Sequence, residues 1–286
     1  MFSCQLCPNR CGVDRELTIG ACSVSNKLKI AKYGLFHYEE PVISGDKGSG
    51  AIFFCGCSLK CVFCQNYELS RNQTGKEITT LELVEIFKEL EKLGAHNVNL
   101  VNPSHYVFQI KEALEIYKPK IPIVWNSHGY ELTQTLKLID DLVDIYLVDL
   151  KYYSPKVSLR YSGKENYFEV AKNAVDFMQN SKKTVLYNGL MRQGVIIRHL
   201  ILPLNTNDSI SILSHLKSTI KNGSFLSLMA QYTPFGDVEK FSELKRPITK
   251  REYEKVLSHL YSLNFENVFI QERQASSTAF IPKWDY

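Results

Sequence analysis

The stretch FFCGCSLKCVFCQN, residues 53–66, decides the interpretation of the whole chain, because it contains four cysteines at short intervals. Cys57, Cys61 and Cys64 have the spacing C-x3-C-x2-C and follow the apolar run AIFFC, residues 51–55, which is typical of a buried strand. Thiols clustered in this way indicate a metal or redox site at the end of that strand. The fourth thiol, Cys55, is expected to be a small buried residue rather than a ligand.

The distribution of cysteine over the chain supports this interpretation. All eight cysteines of the 286-residue chain lie within residues 4–64. Disulfide frameworks are typical of short secreted chains, whereas clustered thiols in a long chain more often bind metal or carry out redox chemistry. The N-terminus lacks the apolar stretch of a signal peptide, and no segment has the apolar length of a membrane span. We therefore expect a cytoplasmic protein with no membrane partner.

Beyond the cysteines, strand-like apolar runs alternate with amphipathic helical windows. Strand candidates are found at residues 51–55, 97–101, 121–125, 144–152, 195–202 and 225–232, with a further one at 267–271. This alternation predicts an α/β fold with a parallel sheet, either open and doubly wound or closed into a full or partial barrel. In both forms the chemistry lies at the carboxyl ends of the strands, where the three cysteines follow the first strand.

Helices are predicted between these strands. Two of them begin at capping boxes, one formed by Thr79 with Glu82 and one by Thr249 with Glu252. Another is expected over residues 209–217, with Asn207 or Asp208 as its cap, and further helices pass through residues 107–114, 132–139 and 167–179.

Three thiols on one short loop match an iron–sulfur cube better than a zinc ion. A closed zinc site needs four ligands, whereas three cysteines hold three irons of a [4Fe-4S] cluster and leave the fourth iron open to a substrate or cofactor. Zinc with a remote fourth ligand and simple buried thiols are the alternatives, but neither explains why the thiols follow a strand.

Five segments, the first of which contains this triplet, resemble the radical S-adenosylmethionine (SAM) superfamily. Within it they resemble the proteins similar to pyruvate formate-lyase activating enzyme. They are GSGAIFFCGCSLKCVFCQNYE, NVNLVNPSHY, IPIVWNSHGYE, DIYLVDLKYY and VIIRHLILP. The resemblance implies a partial (β/α)6 barrel, the radical SAM core, with a C-terminal extension over residues 46–286. A small N-terminal four-cysteine metal module and its connector would occupy residues 1–45.

The resemblance also implies an oxidoreductase activity and its partners. Cys57, Cys61 and Cys64 would hold a [4Fe-4S] cluster whose open iron is chelated by the amino and carboxylate groups of SAM. An electron from reduced flavodoxin or ferredoxin would then cleave SAM to methionine and a 5′-deoxyadenosyl radical that abstracts hydrogen from a substrate. In the activating enzymes this hydrogen belongs to a glycine of a partner enzyme, which becomes a glycyl radical enzyme.

Relatives carry a Gly-Gly-Glu segment after the second strand, where it meets the amino group of SAM. This chain has VNPSHY at residues 101–106 instead, so Asn102, Ser104 and His105 occupy the matching place. They either contact the cofactor or form an ordinary strand-to-helix turn with a serine cap. Asn126, after the third strand, matches a position that faces the cofactor in similar enzymes.

Charged residues in the fourth and fifth strands are the other candidates. Asp149 and Lys151 share one face of an apolar strand, where they either meet SAM or form a structural ion pair. Arg198 and His199 lie on opposite faces, and Arg198 matches the arginine of the relatives' W-I-R-Y strand. The full predicted set of SAM contacts is Phe63, Asn66, Asn102, Ser104, Asn126, Asp149, Lys151 and Arg198.

The first four cysteines, Cys4, Cys7, Cys11 and Cys22, have the spacing C-x2-C-x3-C-x10-C. Four thiolates would saturate either one structural Zn2+ ion or a second [4Fe-4S] cluster, and the sequence leaves both open. Unmetallated thiols are the third possibility.

Other functions also remain open. The four-cysteine module and the missing Gly-Gly-Glu segment differ from the activating enzymes, so the same chemistry could act on a small molecule or RNA. The formal net charge of +4 is dispersed and does not indicate nucleic acid. A non-catalytic metal-binding scaffold with this fold is the alternative from another class.

Overall fold

The structure, a computed structural model, describes residues 3–273, so residues 274–286 of the predicted barrel unit lie outside it. One sheet organises the chain. Its strands are β1 (Lys29–Phe36), β2 (Ser49–Phe54), β3 (Lys76–Glu77), β4 (Val98–Val101), β5 (Ile123–Ser127), β6 (Ile145–Asp149), β7 (Val185–Tyr187), β8 (Leu190–Leu200), β9 (Phe225–Met229) and β10 (Val268–Ile270).

The strand order is β10-β9-β8-β6-β5-β4-β2-β1-β3, with β7 paired to β8 in a hairpin. Each neighbouring pair from β2 to β10 is parallel, whereas β1 and β3 are antiparallel additions. The two ends of this order, β3 and β10, are not paired with each other in the described residues. The predicted parallel α/β fold with six barrel strands and a further one at 267–271 is therefore confirmed.

Helices connect the strands. They are α1 (Pro41–Ser44), α2 (Tyr67–Ser70), α3 (Thr80–Lys92), α4 (Val107–Ile116), α5 (Thr133–Leu136), α6 (Pro155–Ser162), α7 (Tyr167–Ser181), α8 (Thr206–Thr219) and α9 (Lys250–Ser262), with short 3-10 turns at Ser104–Tyr106, Asp140–Leu142 and Ser242–Leu244. Both predicted capping boxes are present, at the starts of α3 and α9. Within residues 3–273, none of these helices combines the length and apolarity that a membrane span requires.

The helix predicted over residues 209–217 is confirmed, but its predicted cap was wrong, and another predicted helix is shorter than expected. Helix α8 begins at Thr206 with Asn205 as its N-cap, because the Asp208 carboxylate is used elsewhere: it accepts hydrogen bonds from the backbone N–H groups of Tyr153 (3.0 Å) and Ser154 (2.7 Å). Asp208 thus fixes the turn before α6 rather than the start of α8. The helix expected through residues 132–139 is only the four-residue α5.

The connector expected before residue 46 contains strand β1, which pairs along β2 with Phe36 opposite Ser49. Since Ser49 is the first residue of β2, the chain leaves β1 at the amino ends of the parallel strands. Helix α1 then packs against the inner face of the sheet, where Val42 and Ile43 are buried together with Ile145 and other side chains of β5, β6 and β8. This helix closes the lower end of the barrel, which is the end where the parallel strands begin. The division of the chain into two units at residue 45 stays a prediction.

Candidate active site

A cavity of about 450 Å³ lies inside the barrel. One end is lined by Cys57, Cys61 and Cys64, which follow the carboxyl end of β2, and the other by residues between β1 and α1. Polar side chains from the intervening strand ends line the space between them: Asn102, Asn126, Asp149, Lys151 and Arg198. The parallel sheet thus brings together residues that are far apart in sequence, at the edge where such folds carry their sites.

The cysteine loop has little room to adopt other conformations. Strand β2 is buried along its whole length, and the chain then turns at Gly56 with a φ of 85°. The sulfur of Cys57 accepts hydrogen bonds from the backbone N–H groups of Leu59 (3.4 Å) and Lys60 (3.5 Å), and Ser162 Oγ donates to the sulfur of Cys61 (3.2 Å). Sulfur atoms that accept hydrogen bonds are suited to bind metal as thiolates.

Burial raises the pKa of the Cys57 thiol to about 11 and that of the Cys64 thiol to about 12, with the neighbouring thiols adding to the shift. Cationic irons would offset this cost of ionisation. In the described residues, no three His, Cys, Asp or Glu side chains are gathered so as to hold a metal ion. A cube needs wider spacing than one ion, since each thiolate binds a different iron. Three thiolates on one short loop match the ligand set of a cube whose fourth iron stays open.

Aromatic side chains surround this loop. Phe63 is buried and makes edge-to-face contacts with the rings of Tyr152, Tyr161 and Tyr232, with centroids 6.0–6.3 Å apart. The loop after β9 also packs here, with the backbone N–H of Asp237 donating to the carbonyl of Val62 (2.8 Å). These contacts exclude water from the side of the cysteine loop.

A layer of charged side chains crosses the cavity. Arg198 donates to Asp149 Oδ1 (2.7 Å), Asn126 Oδ1 (2.7 Å) and Glu39 Oε2 (3.0 Å), and Lys151 Nζ donates to Asp149 Oδ2 (2.6 Å). Burial by itself raises the pKa of Asp149, but the charges of Arg198 and Lys151 lower it to about 2. Asp149 and Lys151 therefore form the expected ion pair and also line the cavity.

Asn102 combines a left-handed backbone conformation with a side-chain oxygen that has no partner among the described residues. Its φ is 58°, a left-handed conformation that asparagine tolerates better than most residues. The side-chain Nδ2 donates to the carbonyl of Gly56, while the buried Oδ1 has no hydrogen-bond partner among the described residues. This carbonyl oxygen is an unused acceptor at the cavity wall, and it would suit the ammonium group of SAM.

Of the remaining predicted residues, some line the cavity and others lie in the loops that support it. Asn66 and Phe63 line the cavity, whereas Ser104 does not, because its hydroxyl donates to Glu131. His105 Nε2 donates to the Cys55 carbonyl (2.7 Å), and burial lowers the pKa of this histidine to about 3. The structure thus places the Ser-His pair in the supporting loops rather than at the cavity.

Two other residues lie away from the cavity. His199 is buried on the opposite face from Arg198, with Nδ1 2.8 Å from the Leu150 carbonyl and Nε2 2.9 Å from Ser209 Oγ. Cys55 is fully buried in an apolar cluster, and its sulfur donates to the carbonyl of Thr74 (3.2 Å). The expectation of a buried thiol at Cys55 agrees with this position.

The sequence reasoning missed four acidic or amide residues. Glu39 accepts hydrogen bonds from Asn99 Nδ2 (2.9 Å), Asn126 Nδ2 (3.1 Å) and Arg198, while Glu40 also lines the cavity. Glu131 is buried and, besides Ser104, accepts from Ser127 Oγ and Trp125 Nε1. Asn99, a polar residue inside the apolar strand NVNLV, could have been identified from the sequence. Glu39 and Glu40 could not, because they lie in a connector without periodic apolar residues.

The N-terminal module consists of turns over residues 3–28, without a helix or strand in that range. Burial raises the pKa of Cys7, and the neighbouring thiols of Cys22, Cys4 and Cys11 raise it further. The other three thiols thus act on Cys7 as nearby charges, and no three of the four are gathered closely enough in the described residues to hold one metal ion. A Cβ placed on Gly20 would lie 3.2 Å from the sulfur of Cys22 and 3.6 Å from that of Cys11.

This module lies directly against the cysteine loop. The backbone N–H of Cys57 donates to the carbonyl of Cys22 (3.0 Å), and Asn9 Nδ2 donates to the carbonyl of Ser58 (2.8 Å). Lys60 Nζ adds a hydrogen bond to Ser23 Oγ. A Cβ on Gly56 would come within 2.7 Å of the Cys22 carbonyl, so the two segments need glycine at this contact.

Comparison with known proteins gives a match of the Radical SAM superfamily family model to residues 51–203. An uncharacterized protein of Methanocaldococcus jannaschii is 29% identical over 275 residues, which are 93% of this chain and 77% of that protein. In fold, the chain is similar to methylornithine synthase (TM-score 0.51, 17% identity, 74% of this chain). It is also similar to SuiB of Streptococcus suis bound to S-adenosylmethionine (TM-score 0.51, 14% identity, 76% of this chain). The matches span 60% and 48% of those two chains.

Proposed function

The chain belongs to the radical SAM superfamily, and on that premise we propose that Cys57, Cys61 and Cys64 hold a [4Fe-4S] cluster and that the adjoining cavity binds SAM. When bound, the reduced cluster and SAM supply a one-electron cleavage to methionine and a 5′-deoxyadenosyl radical that abstracts hydrogen from the substrate. The observation that carries this proposal is the opening of three buried thiols onto a cavity that also contains a charged layer and an unused acceptor.

The residues of the chain bind and orient in this proposal. Asn102 Oδ1 accepts from the ammonium group of SAM, in place of the carboxylate that relatives use. Lys151 and Arg198 carry the positive charges that suit the methionine carboxylate, and the Asp149 carboxylate suits hydroxyl donors of the ribose. Asn126 holds Arg198 in position through a 2.7 Å hydrogen bond. Phe63 and Asn66 complete the lining.

The finer activity is a separate proposal, supported by the resemblance to activating enzymes. The electron donor would be reduced flavodoxin or ferredoxin, and the substrate a glycine of a partner enzyme that becomes a glycyl radical enzyme. A cytoplasmic location belongs to this proposal. Modification of a small molecule or RNA by the same chemistry is the alternative, because the chain differs from the activating enzymes at residues 101–106 and in its N-terminal module.

We also propose a second metal site at Cys4, Cys7, Cys11 and Cys22. The mutual effect of these thiols on the pKa of Cys7 supports it, as does the lack of regular structure in residues 3–28, which a metal would organise. Zinc and a second [4Fe-4S] cluster are both compatible with four thiolates.

One experiment separates these proposals: iron, acid-labile sulfide and zinc are measured per chain after anaerobic purification and reconstitution. About four irons that vanish when Cys57, Cys61 and Cys64 are all replaced by alanine, with one zinc retained, support one cluster and a zinc module. About eight irons falling to four support two clusters. Absence of iron, or of 5′-deoxyadenosine after reduction with SAM, rejects the enzymatic proposal. Cys55→Ala is the matched control, since Cys55 is buried but does not line the cavity.

A further inference from the structure

Glu40 is a buried carboxylate at the cavity that the proposed chemistry does not use. Its side chain lines the cavity, the residue is 8% exposed, and its Oε2 is buried without a hydrogen-bond partner among the described residues. An unpaired carboxylate in such a place costs several kcal/mol unless a ligand, ion or water meets it. The position therefore needs an occupant.

Charge balance indicates which occupant. Three carboxylates and two cations line the cavity. Asp149 is paired with Arg198 and Lys151, and Glu39 is paired with Arg198. Within residues 3–273, Glu40 forms no ion pair with any Lys, Arg or His. Three carboxylates thus share two cations, and Glu40 acts on Arg198 only as a longer-range charge that raises the pKa of the guanidinium.

Glu40 lies towards the amino ends of the parallel strands, and its neighbour Glu39 bonds to two of the predicted SAM contacts, Asn126 and Arg198. Glu40 follows β1 at the amino ends of the parallel strands, whereas the cysteine loop and Asn102 lie at the carboxyl ends. The cavity wall also contains apolar side chains from strands on both sides of the sheet, including Phe36 of β1, Met229 of β9 and Phe269 of β10. Apolar side chains together with an unpartnered carboxylate oxygen suit an alkyl chain that ends in a cation.

We infer that Glu40 recognises a protonated aliphatic amine of the substrate, held at the lower end of the cavity while the hydrogen to be abstracted faces the cysteine loop. This inference rests on the proposed function, which it deepens by naming the substrate class. Glu40 acts as a specificity residue, because the amine binds through its charge and its alkyl stem rather than through the reacting carbon.

The test uses reconstituted protein saturated with SAM, so that the cofactor's own ammonium and sulfonium groups are already accommodated. Isothermal titration with n-pentylammonium chloride and with n-pentanol, at one pH and ionic strength, compares a charged probe with an uncharged one of the same shape. Wild-type protein is expected to prefer the ammonium about 10- to 100-fold, as charged hydrogen bonds allow. Glu40→Gln is expected to lose that preference, and the exposed Glu254→Gln is the matched control.

Equal binding of the two probes by the wild type, or an unchanged preference in Glu40→Gln, overturns the inference. If Glu40→Gln does not fold, a crystal structure of the wild type with pentylammonium decides, and an ammonium away from Glu40 rejects it. Formation of 5′-deoxyadenosine by the wild type is measured separately. Its absence with the ammonium preference intact rejects the proposed function, whereas SAM cleavage without any preference rejects only the assignment of Glu40.

Discussion

The two cysteine groups of this chain lie next to each other and are built in opposite ways. Cys57, Cys61 and Cys64 follow a fully buried strand and open onto a cavity whose other walls come from distant strands. The first four cysteines lie in turns. The described part of this segment bonds to the cysteine loop and also to His105, Gln109 and Thr135 of the barrel.

This difference separates a site placed by the fold from one that needs its own ligand. The barrel would hold the cysteine loop near its position without metal, because β2 and the surrounding aromatic rings are part of the main core. Residues 3–28 have no core of their own, and of their buried side chains only Cys22, Val24 and Leu28 join the main core, so we expect metal to determine the order of the cysteine-rich turns. Four changes test this contrast, beginning with the largest expected effect.

Replacing Cys61 by alanine is expected to abolish SAM cleavage, because a cluster held by two thiolates does not persist. Formation of 5′-deoxyadenosine after reduction should fall to background, while Cys55→Ala should retain it. Residual cleavage in Cys61→Ala above the level without SAM would show that the cluster lies elsewhere, and the N-terminal module would then be the first candidate.

Asp149→Asn is expected to reduce the free energy of unfolding by about 3–5 kcal/mol, because it leaves Arg198 and Lys151 buried without their shared carboxylate. Urea titration measures the loss, and Asp141→Asn, an exposed substitution, is the control. Because the substitution lies in the barrel, hydrogen exchange in the metal-loaded protein should increase in the barrel before it increases in residues 3–28. A loss below about 1 kcal/mol would mean that the pair is solvated.

Gly56→Ala tests the contact between the two groups and is expected to cost about 3 kcal/mol. The added Cβ would meet the Cys22 carbonyl at 2.7 Å, and the φ of 85° is itself unfavourable for alanine. Gly189→Ala is the matched control, since Gly189 has a φ of 77° with nothing within 4 Å of a Cβ. It should cost only about 1 kcal/mol of backbone strain. Equal losses would remove the argument that the module packs tightly on the loop.

Acid should destabilise the barrel through its buried histidines His105, His128 and His199, whereas residues 3–28 contain no histidine. Burial lowers the pKa of His199 to about 4, so between about pH 6.5 and pH 4 the unfolded chain binds a proton that the folded chain does not. Stability is therefore lost as the pH falls through this range. His199→Gln should reduce the slope by about 1.4 kcal/mol per pH unit near pH 5, measured by urea titration at several pH values. An unchanged slope would contradict the assignment of this pH dependence to the lowered pKa of His199.

Local patterns predicted much of the fold correctly. Capping boxes and periodic apolar residues identified α3 and α9, because the signals lie within a few residues of each other. The start of α8 was missed because Asp208 bonds to the turn before α6, a partner more than fifty residues away. Strand β1 was missed because it is an antiparallel addition outside the strand–helix alternation, and its partners β2 and β3 become evident only after the sheet has formed.

The sequence by itself determined the chemistry: three thiols after a strand, a parallel α/β sheet, and polar residues at the strand ends. These features depend on spacing along the chain, which the fold preserves. Only the tertiary structure decided which polar groups meet. The pairing of Glu39 with Arg198, the unpaired oxygens of Asn102 and Glu40, and the contact of Cys22 with Cys57 all join segments remote in sequence. Burial and charge balance arise when those segments pack together, so no local pattern could reveal them.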